Sequence, residues 1–352
     1  MHVLIVKPSS FGDVVHTFPA LALLLRSVPA PLRLTWVVND SLAALPVLLP
    51  GVSRVITFPR RHLFRDQAGR NFLRELRSEK YDVAIDFQGL LRSGLMTWLS
   101  RAPRRIGFRQ TREGAHFFYT EKYTPEASCQ HAVDKNIALV RLAFPDAVAA
   151  AGGDAVGHPP LTVAPEADAA ARAWLEQLPG DGPVLAVGFS SRWDSKTWPK
   201  EFFAAVISAV AAQVPGLRCW LVGSSSEREL GEELAAEVSA CQVLNLAGAT
   251  DFAELAALFG RSHAMLTNDS GPMHLAAAMG VSCIALFGAT EPDKTGPWGP
   301  PGQHAVVRST CPEHPCFQRR CPKGEGVCPQ GTDPVAVAAQ VAQKLKSAQH
   351  LP

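Results

Sequence analysis

The chain has 352 residues, 47% hydrophobic and 19% charged, with eight cysteines and a formal charge of +2. That balance excludes a disordered or fibrous protein, and no apolar run approaches the roughly 20 residues needed to span a bilayer. Charge is unevenly spread: residues 1–165 carry 20 Lys and Arg against 13 Asp and Glu, the remainder 14 against 19, so the first half favours an anionic partner.

Charged lipid head groups and phosphorylated sugars fit that bias. Nucleic acid does not, because no basic stripe interleaved with aromatic residues and no nucleic-acid-binding motif is present. The length suits two domains of about 150–170 residues each. The first residues, Met1 to Val6, read as a strand running straight into Lys7 and Pro8, which is no signal peptide. A cytoplasmic protein is expected.

In chain order, His2–Val6 reads as a buried parallel-type strand, Lys7–Asp13 as a loop and Val14–Ser27 as an amphipathic helix. Further strands are expected at Leu34–Val38, Val55–Phe58 and Val83–Phe87, with helical patterns at Leu42–Leu48 and Arg70–Lys80. The Gly-, Pro- and Ala-rich passage Ala150–Pro165 reads as an inter-domain connection. A second alternation follows: helix 166–178, strand Val184–Gly188, helix 200–213, strand Cys219–Val222, helix 227–239, strand Val243–Asn245 and helix 251–260. Strand Ala264–Thr267, a small-residue helix closed by Gly280, and strand Val281–Phe287 complete it. Strand–helix alternation of this kind predicts doubly wound parallel sheets, here two Rossmann-like domains facing across a cleft. Domain limits of 1–160 and 166–333 follow, with 334–352 as a C-terminal helix packing back on the junction.

Ligands of such sheets gather at the carboxyl ends of strands, and the residues there are informative. After the strand Ala264–Thr267 come Asn268, Asp269, Ser270 and Gly271. Asp269 or Ser270 suits the N-cap, Pro272 the first helical turn, and Gly280 the position just past the end. The free N–H groups and positive end of that helix make a site for phosphate or diphosphate. Ser190 and Ser191, after Val184–Gly188, are candidate phosphate donors, and Lys196 a counter-charge for a leaving diphosphate. Glu227, after Cys219–Val222, is a candidate acceptor for ribose hydroxyls, against the ordinary alternative of a helix-entry acid. In the first half, Asp13 follows Gly12 at a helix entrance; either it caps the helix or it removes a proton from an acceptor hydroxyl. Lys7, Ser9 and Ser10 share its loop, Gln88 ends the fourth strand, and Arg60 and Arg61 are a candidate clamp for an anionic acceptor.

The run Val6-Lys7-Pro8-Ser9-Ser10-Phe11-Gly12-Asp13-Val14-Val15-His16-Thr17-Phe18-Pro19-Ala20-Leu21 strongly resembles the N-terminus of bacterial lipopolysaccharide heptosyltransferases, glycosyltransferase family nine. Asp86 to Leu90, Asp194 to Pro199 and Asn268 to His274 resemble further motifs of that family, in the same order, so the resemblance covers essentially the whole chain. It implies a GT-B fold and inverting transfer of heptose from ADP-heptose to the inner core of lipopolysaccharide, onto Kdo or the first heptose. By resemblance, Asp13 is the catalytic base, Lys196 a diphosphate contact, and Asp269, Ser270, Gly271 and His274 the donor-phosphate loop. Arg60, Arg61 and Arg112 align with basic acceptor-binding positions. A lipid-linked acceptor implies peripheral contact with the inner face of the inner membrane. A nucleotide-sugar epimerase shares the two-domain architecture but not these motifs. A binding relative without catalysis would have no need of Asp13 and Lys196 together.

No Asp-x-Asp pair sits at a strand end, so no cofactor is required for catalysis on this reading. Four cysteines cluster as Cys311, Cys316, Cys321 and Cys328. Their spacing matches no standard zinc ribbon; four in so short a segment are open to a structural metal or to free thiols.

Overall fold

The computed structural model describes residues 1–59, 67–152, 156–324, 328 and 332–348. The chain divides into two compact units, Met1–Thr162 and Val163–Pro352, and the division falls inside the Gly-, Pro- and Ala-rich passage.

The first unit is built on six parallel strands: β1 (His2–Val6), β2 (Arg33–Asn39), β3 (Val52–Phe58), β4 (Val83–Asp86), β5 (Arg104–Phe108) and β6 (Glu121–Tyr123). Their spatial order is β3-β2-β1-β4-β5-β6. The strand β1 is buried along its whole length, as a central strand covered by helices on both faces must be. It pairs with β2 on one side and β4 on the other, with Val6 opposite Val37 and Asp86.

The second unit repeats the plan with β7 (Val184–Gly188), β8 (Arg218–Leu221), β9 (Gln242–Asn245), β10 (Ala264–Asn268), β11 (Ser282–Phe287) and β12 (Ala305–Arg308), in the order β12-β11-β10-β7-β8-β9. Both sheets wind outward from the centre in both directions. The order reverses between β1 and β4 in one unit and between β7 and β10 in the other. Those are the points where connections leave to opposite faces and open a crevice at the strand ends.

The expected helix Val14–Ser27 is two helices, Phe11–Val15 and Phe18–Ser27. Pro19 has no N–H for a carbonyl one turn earlier, so the first helix stops and a second starts with Pro19 in its first turn. The helical pattern at Leu42–Leu48 is likewise reduced to a 3-10 turn and the short helix Ala44–Val47, which contains Pro46. Three strands escape the sequence pattern: β5 carries Arg104, Arg105 and Gly107, β6 carries Glu121 and Lys122, and β12 is only four residues long and ends in Arg308. They lack the continuous apolar run that marks the inner strands.

The final helix, Pro334–Ala348, packs within the second unit, against the helix Lys200–Ala211 and the strands β10 and β11. Its Val337, Val341 and Leu345 enter the same core cluster as Leu266 and Leu286. It therefore buttresses the strand that presents the loop after Asn268. Leu345 is fully buried, so Leu345→Ala should cost the second unit about 2–4 kcal/mol. Urea denaturation read for that unit checks it; a loss under about 0.5 kcal/mol would mean that the helix is not part of the core.

Candidate active site

The crevice of the first unit is formed by the ends of β1 and β4. Lys7, 6% exposed, donates from Nζ to the Phe87 carbonyl (3.0 Å), and the Ser9 N–H donates to Gln88 Oε1 (3.4 Å). The two loops are thus tied to each other. Ser10 is the N-cap of the helix Phe11–Val15, and Asp13 takes its third position. The Ser10 N–H and Oγ both donate to Asp13 Oδ2 (3.0 and 2.6 Å). Asp13 Oδ1 lies 3.9 Å from Lys7 Nζ, and the side chain is 42% exposed. The two oxygens have different surroundings: Oδ2 closes the capping box, while Oδ1 faces the lysine.

Beneath this loop sits a carboxylate that the sequence reading quotes only as part of a motif. Asp86, at the end of β4, is fully buried. It accepts from the Gln88 N–H (2.8 Å), the Gly89 N–H (3.1 Å) and the Tyr119 hydroxyl (2.6 Å). Burial pushes its carboxyl above the usual range, and the bonds from Tyr119, Ser93, Gly89 and Gln88 oppose that rise. Gly89 takes φ +69°, and a Cβ there would lie 3.7 Å from Thr111 Cγ2. The segment after β5 is therefore beside the Gln88–Gly89 turn, and Arg112 is exposed on it. Tyr119 can reach Asp86 because Gly107 on β5 leaves the ring room; a Cβ at 107 would stand 2.3 Å from Tyr119 Cε2. Arg60 and Arg61 lie outside the described residues.

In the second unit the ends of β7 and β10 meet. Ser191 Oγ donates to the Asp269 carbonyl (3.0 Å), and the Trp198 N–H to Asn268 Oδ1 (3.3 Å). Ser190, half-buried, precedes it at the strand end. Lys196, in the 3-10 turn Asp194–Lys196, pairs with Asp269 Oδ2 at 2.6 Å, with side-chain exposures of 17% and 5%. Thr290 Oγ1 donates to the same oxygen. Lys196 Nζ also stands 4.7 Å from the centre of the Trp193 ring. Asp269 thus fixes one cation at the crevice.

Ser270 is the N-cap of the helix Gly271–Ala278, with Pro272 in the first turn and no side-chain cap bond. An N-terminus without such a cap keeps N–H groups for an anion. His274 is buried in that helix, and Gly280 takes φ +84° just beyond it. Glu227 closes a capping box through one oxygen: its Oε2 accepts from the Ser224 N–H (2.5 Å) and Oγ (2.8 Å).

The segment after β12 is strapped to this crevice by backbone carbonyls. Ser195 donates from N to the Arg319 carbonyl (3.3 Å) and from Oγ to that of Gln318, and the Phe317 N–H donates to the Ala289 carbonyl (2.8 Å). Cys311, Cys316, Cys321 and Cys328 in this segment are half-buried and form no disulfides. Among the described residues no three Cys, His or acidic side chains are placed to hold a metal ion. The thiols lie near one another: burial, and then the neighbouring Cys321, Cys316 and Cys311, push the Cys328 thiol up to about 11.

The sequence also leaves unmarked Tyr119 and Thr290, and it names Asn268 only as part of a motif. Each is identified by a partner far along the chain, and a hydroxyl or amide in isolation carries no such signal.

A family model described as glycosyltransferase family 9 (heptosyltransferase) matches residues 70–326. Lipopolysaccharide heptosyltransferase 1 of Pseudomonas aeruginosa is 33% identical over 335 residues, covering 91% of this chain and 87% of that protein. The structure of E. coli heptosyltransferase WaaC with ADP superposes with a TM-score of 0.74 at 26% identity, covering 98% of this chain and 100% of that one. The same enzyme with ADP-2-deoxy-2-fluoro heptose gives 0.72 at 26% identity, covering 99% of each chain.

Removing the Tyr119 hydroxyl takes one donor from a buried carboxylate. Tyr119→Phe should cost about 1.5–3 kcal/mol at neutral pH. The lost bond favours the ionised carboxylate, so the folded-state pKa of Asp86, already raised, rises further. The deficit should be smallest in acid, where Asp86 is protonated, and grow as pH climbs through its raised folded-state range, above that of an ordinary carboxylate. Urea denaturation at a series of pH values reads this; a deficit that shrinks with rising pH would contradict it.

Proposed function

The chain belongs to glycosyltransferase family 9 and is a glycosyltransferase, and we propose that it moves heptose from ADP-heptose to the inner core of lipopolysaccharide with inversion at the anomeric carbon. One observation carries the reading. Each of two doubly wound units has its polar groups at the strand-order reversal, a half-exposed carboxylate in one, a fixed lysine and a side-chain-uncapped helix N-terminus in the other. That division suits a reaction needing a base for an acceptor and an electrophilic grip for a leaving group. The names of the similar proteins supply heptose, ADP and lipopolysaccharide.

In this reading Asp13 accepts the proton of an acceptor hydroxyl as that oxygen attacks the anomeric carbon. The bond from that carbon to the diphosphate breaks on the opposite face, ADP departs with the electron pair, and the configuration inverts. The Ser10 bonds fix Oδ2, and Lys7 supports the charge on Oδ1 without using it up. Negative charge grows on the diphosphate in the transition state. Lys196 and the N–H groups of Ser270 and Gly271 are the groups for it, already oriented by Asp269 and Thr290 and needing little reorganisation. Ser190 and Ser191 add hydroxyl donors to the phosphates; His274 lines the same loop. Lys7, Ser9, Ser10, Gln88 and Arg112 serve the acceptor, whose phosphates and carboxylates fit the basic first half. Among the described residues no helix is long and apolar enough to cross a membrane. The lipid-linked acceptor of this reading assigns the protein to the cytoplasm, at the inner face of the inner membrane.

With ADP-heptose and an acceptor core lacking heptose, ADP release should require the acceptor. Asp13→Ala should lower kcat by about 10²–10⁴. Release without acceptor would point to hydrolysis; turnover with another nucleotide sugar alone would discard heptose; undiminished activity in Asp13→Ala would leave that residue a helix cap.

A further inference from the structure

We propose that the face of the first unit formed by the helix Leu91–Leu99 and the turn Ala115–Phe118 is a docking surface for an anionic lipid bilayer. Its role in delivering a lipid-linked acceptor rests on the transfer reading; its binding to lipid does not.

Three large apolar side chains on these two elements stand in water: Leu91 is 50% exposed, Trp98 52% and Phe117 80%. Leu91, half-buried Leu95 and Trp98 follow at i, i+4 and i+7, one stripe along the helix. Leu91 and Trp98 are not spare core, because Ser93, Met96, Thr97 and Leu99 supply the inward face and Leu95 packs against the core beside them. The two elements are locked together: a Cβ on Gly94 would lie 2.9 Å from the Ala115 carbonyl oxygen and from Phe118 Cδ2. The Trp98 and Phe118 rings lie 6.5 Å apart. Exposed apolar side chains grouped on one rigid face mark an interaction surface.

Charge selects the occupant. Residues 88–120 contain six arginines, no lysine and one acid, Glu113. Arg104 is engaged by Glu121, and Arg105 by the carbonyls of Ala102 and Phe118. Arg92, Arg101, Arg109 and Arg112 are all exposed, with Arg92 over the Phe58 ring (5.9 Å) and Arg109 donating to the Lys122 carbonyl (3.4 Å). Arg101 holds φ 62° directly after the helix, a left-handed position that glycine takes more cheaply, so a guanidinium stands there in spite of its backbone. A second copy docked symmetrically would press arginines against arginines. An anionic bilayer satisfies both parts: Trp, Phe and Leu enter the interface while guanidinium groups pair with phosphates. The helix begins two residues after Gly89, so lipid docking would hold the Gln88–Gly89 turn and the acceptor loop at the membrane surface.

The test uses the full chain sedimented with vesicles of phosphatidylcholine, alone or with phosphatidylglycerol. Partition should favour the anionic vesicles by about tenfold or more and weaken with salt. The double variant Trp98→Ser, Phe117→Ser should lose about tenfold or more of that binding while keeping its thermal midpoint and its activity on a delipidated acceptor. Arg101→Gln with Arg109→Gln should remove most of the preference for anionic lipid. Equal binding to both vesicles, or full binding by the double variant, overturns the proposal. Loss of a concentration-dependent dimer in the variant, with vesicle binding intact, also overturns it and gives the face to a second copy. The vesicles carry no sugar acceptor, so failure of the transfer reading would not alter this result.

Discussion

The reversal of strand order at the centre of each sheet is the constraint on which the rest depends. A parallel strand buried on both faces can present chemistry only at its end, because its length is covered by helices. Two neighbouring strands whose connections leave to opposite faces expose their ends together. In the first unit that brings Lys7 against the Phe87 carbonyl and Ser9 against Gln88. In the second it brings Ser191 and Lys196 against Asp269. The apolar strands are thus the reason that residues some 80 positions apart share one site in each unit.

Each crevice is also stiffened by a carboxylate that stays out of solvent. Asp86 gathers donors from its own turn and from Tyr119; Asp269 gathers Lys196 and Thr290. A buried carboxylate is costly unless its lone pairs are filled, so each imposes positions on its donors. The donors are the groups that line the crevice or hold its turns. Orientation set by folding need not be set again when charge develops during transfer, and for that reason a buried acid next to a site can matter without touching substrate.

The inner strands and most helices were legible from sequence because they are continuous apolar or amphipathic runs. Val184–Gly188 has the expected limits, and the helix after Asn268 has the N-cap, Pro272 and Gly280 where composition puts them. The strands β5, β6 and β12 were not, because Arg104, Arg105 and Gly107 mask the pattern in β5 and a half-covered strand needs no unbroken apolar run. Within the sites, the residue types at strand ends could be named, while their pairings could not. Lys196 and Asp269 are 73 residues apart by numbering, and nothing local to either announces the other. At Glu227 the sequence allows a ribose contact or a helix cap, and the structure shows the cap, closed on Ser224 through Oε2. Tyr119 carried no signal at all, since its role depends on the space left by Gly107 on β5.

The division of labour between the two crevices is tested most directly by measuring ADP affinity in Asp13→Ala and Lys196→Ala alongside acceptor-dependent turnover. The account predicts that Asp13→Ala binds ADP as the unaltered protein does while turnover collapses. Lys196→Ala should weaken ADP binding and lower kcat by about 10²–10³. Weakened ADP binding in Asp13→Ala, or unchanged ADP binding and turnover in Lys196→Ala, would contradict it.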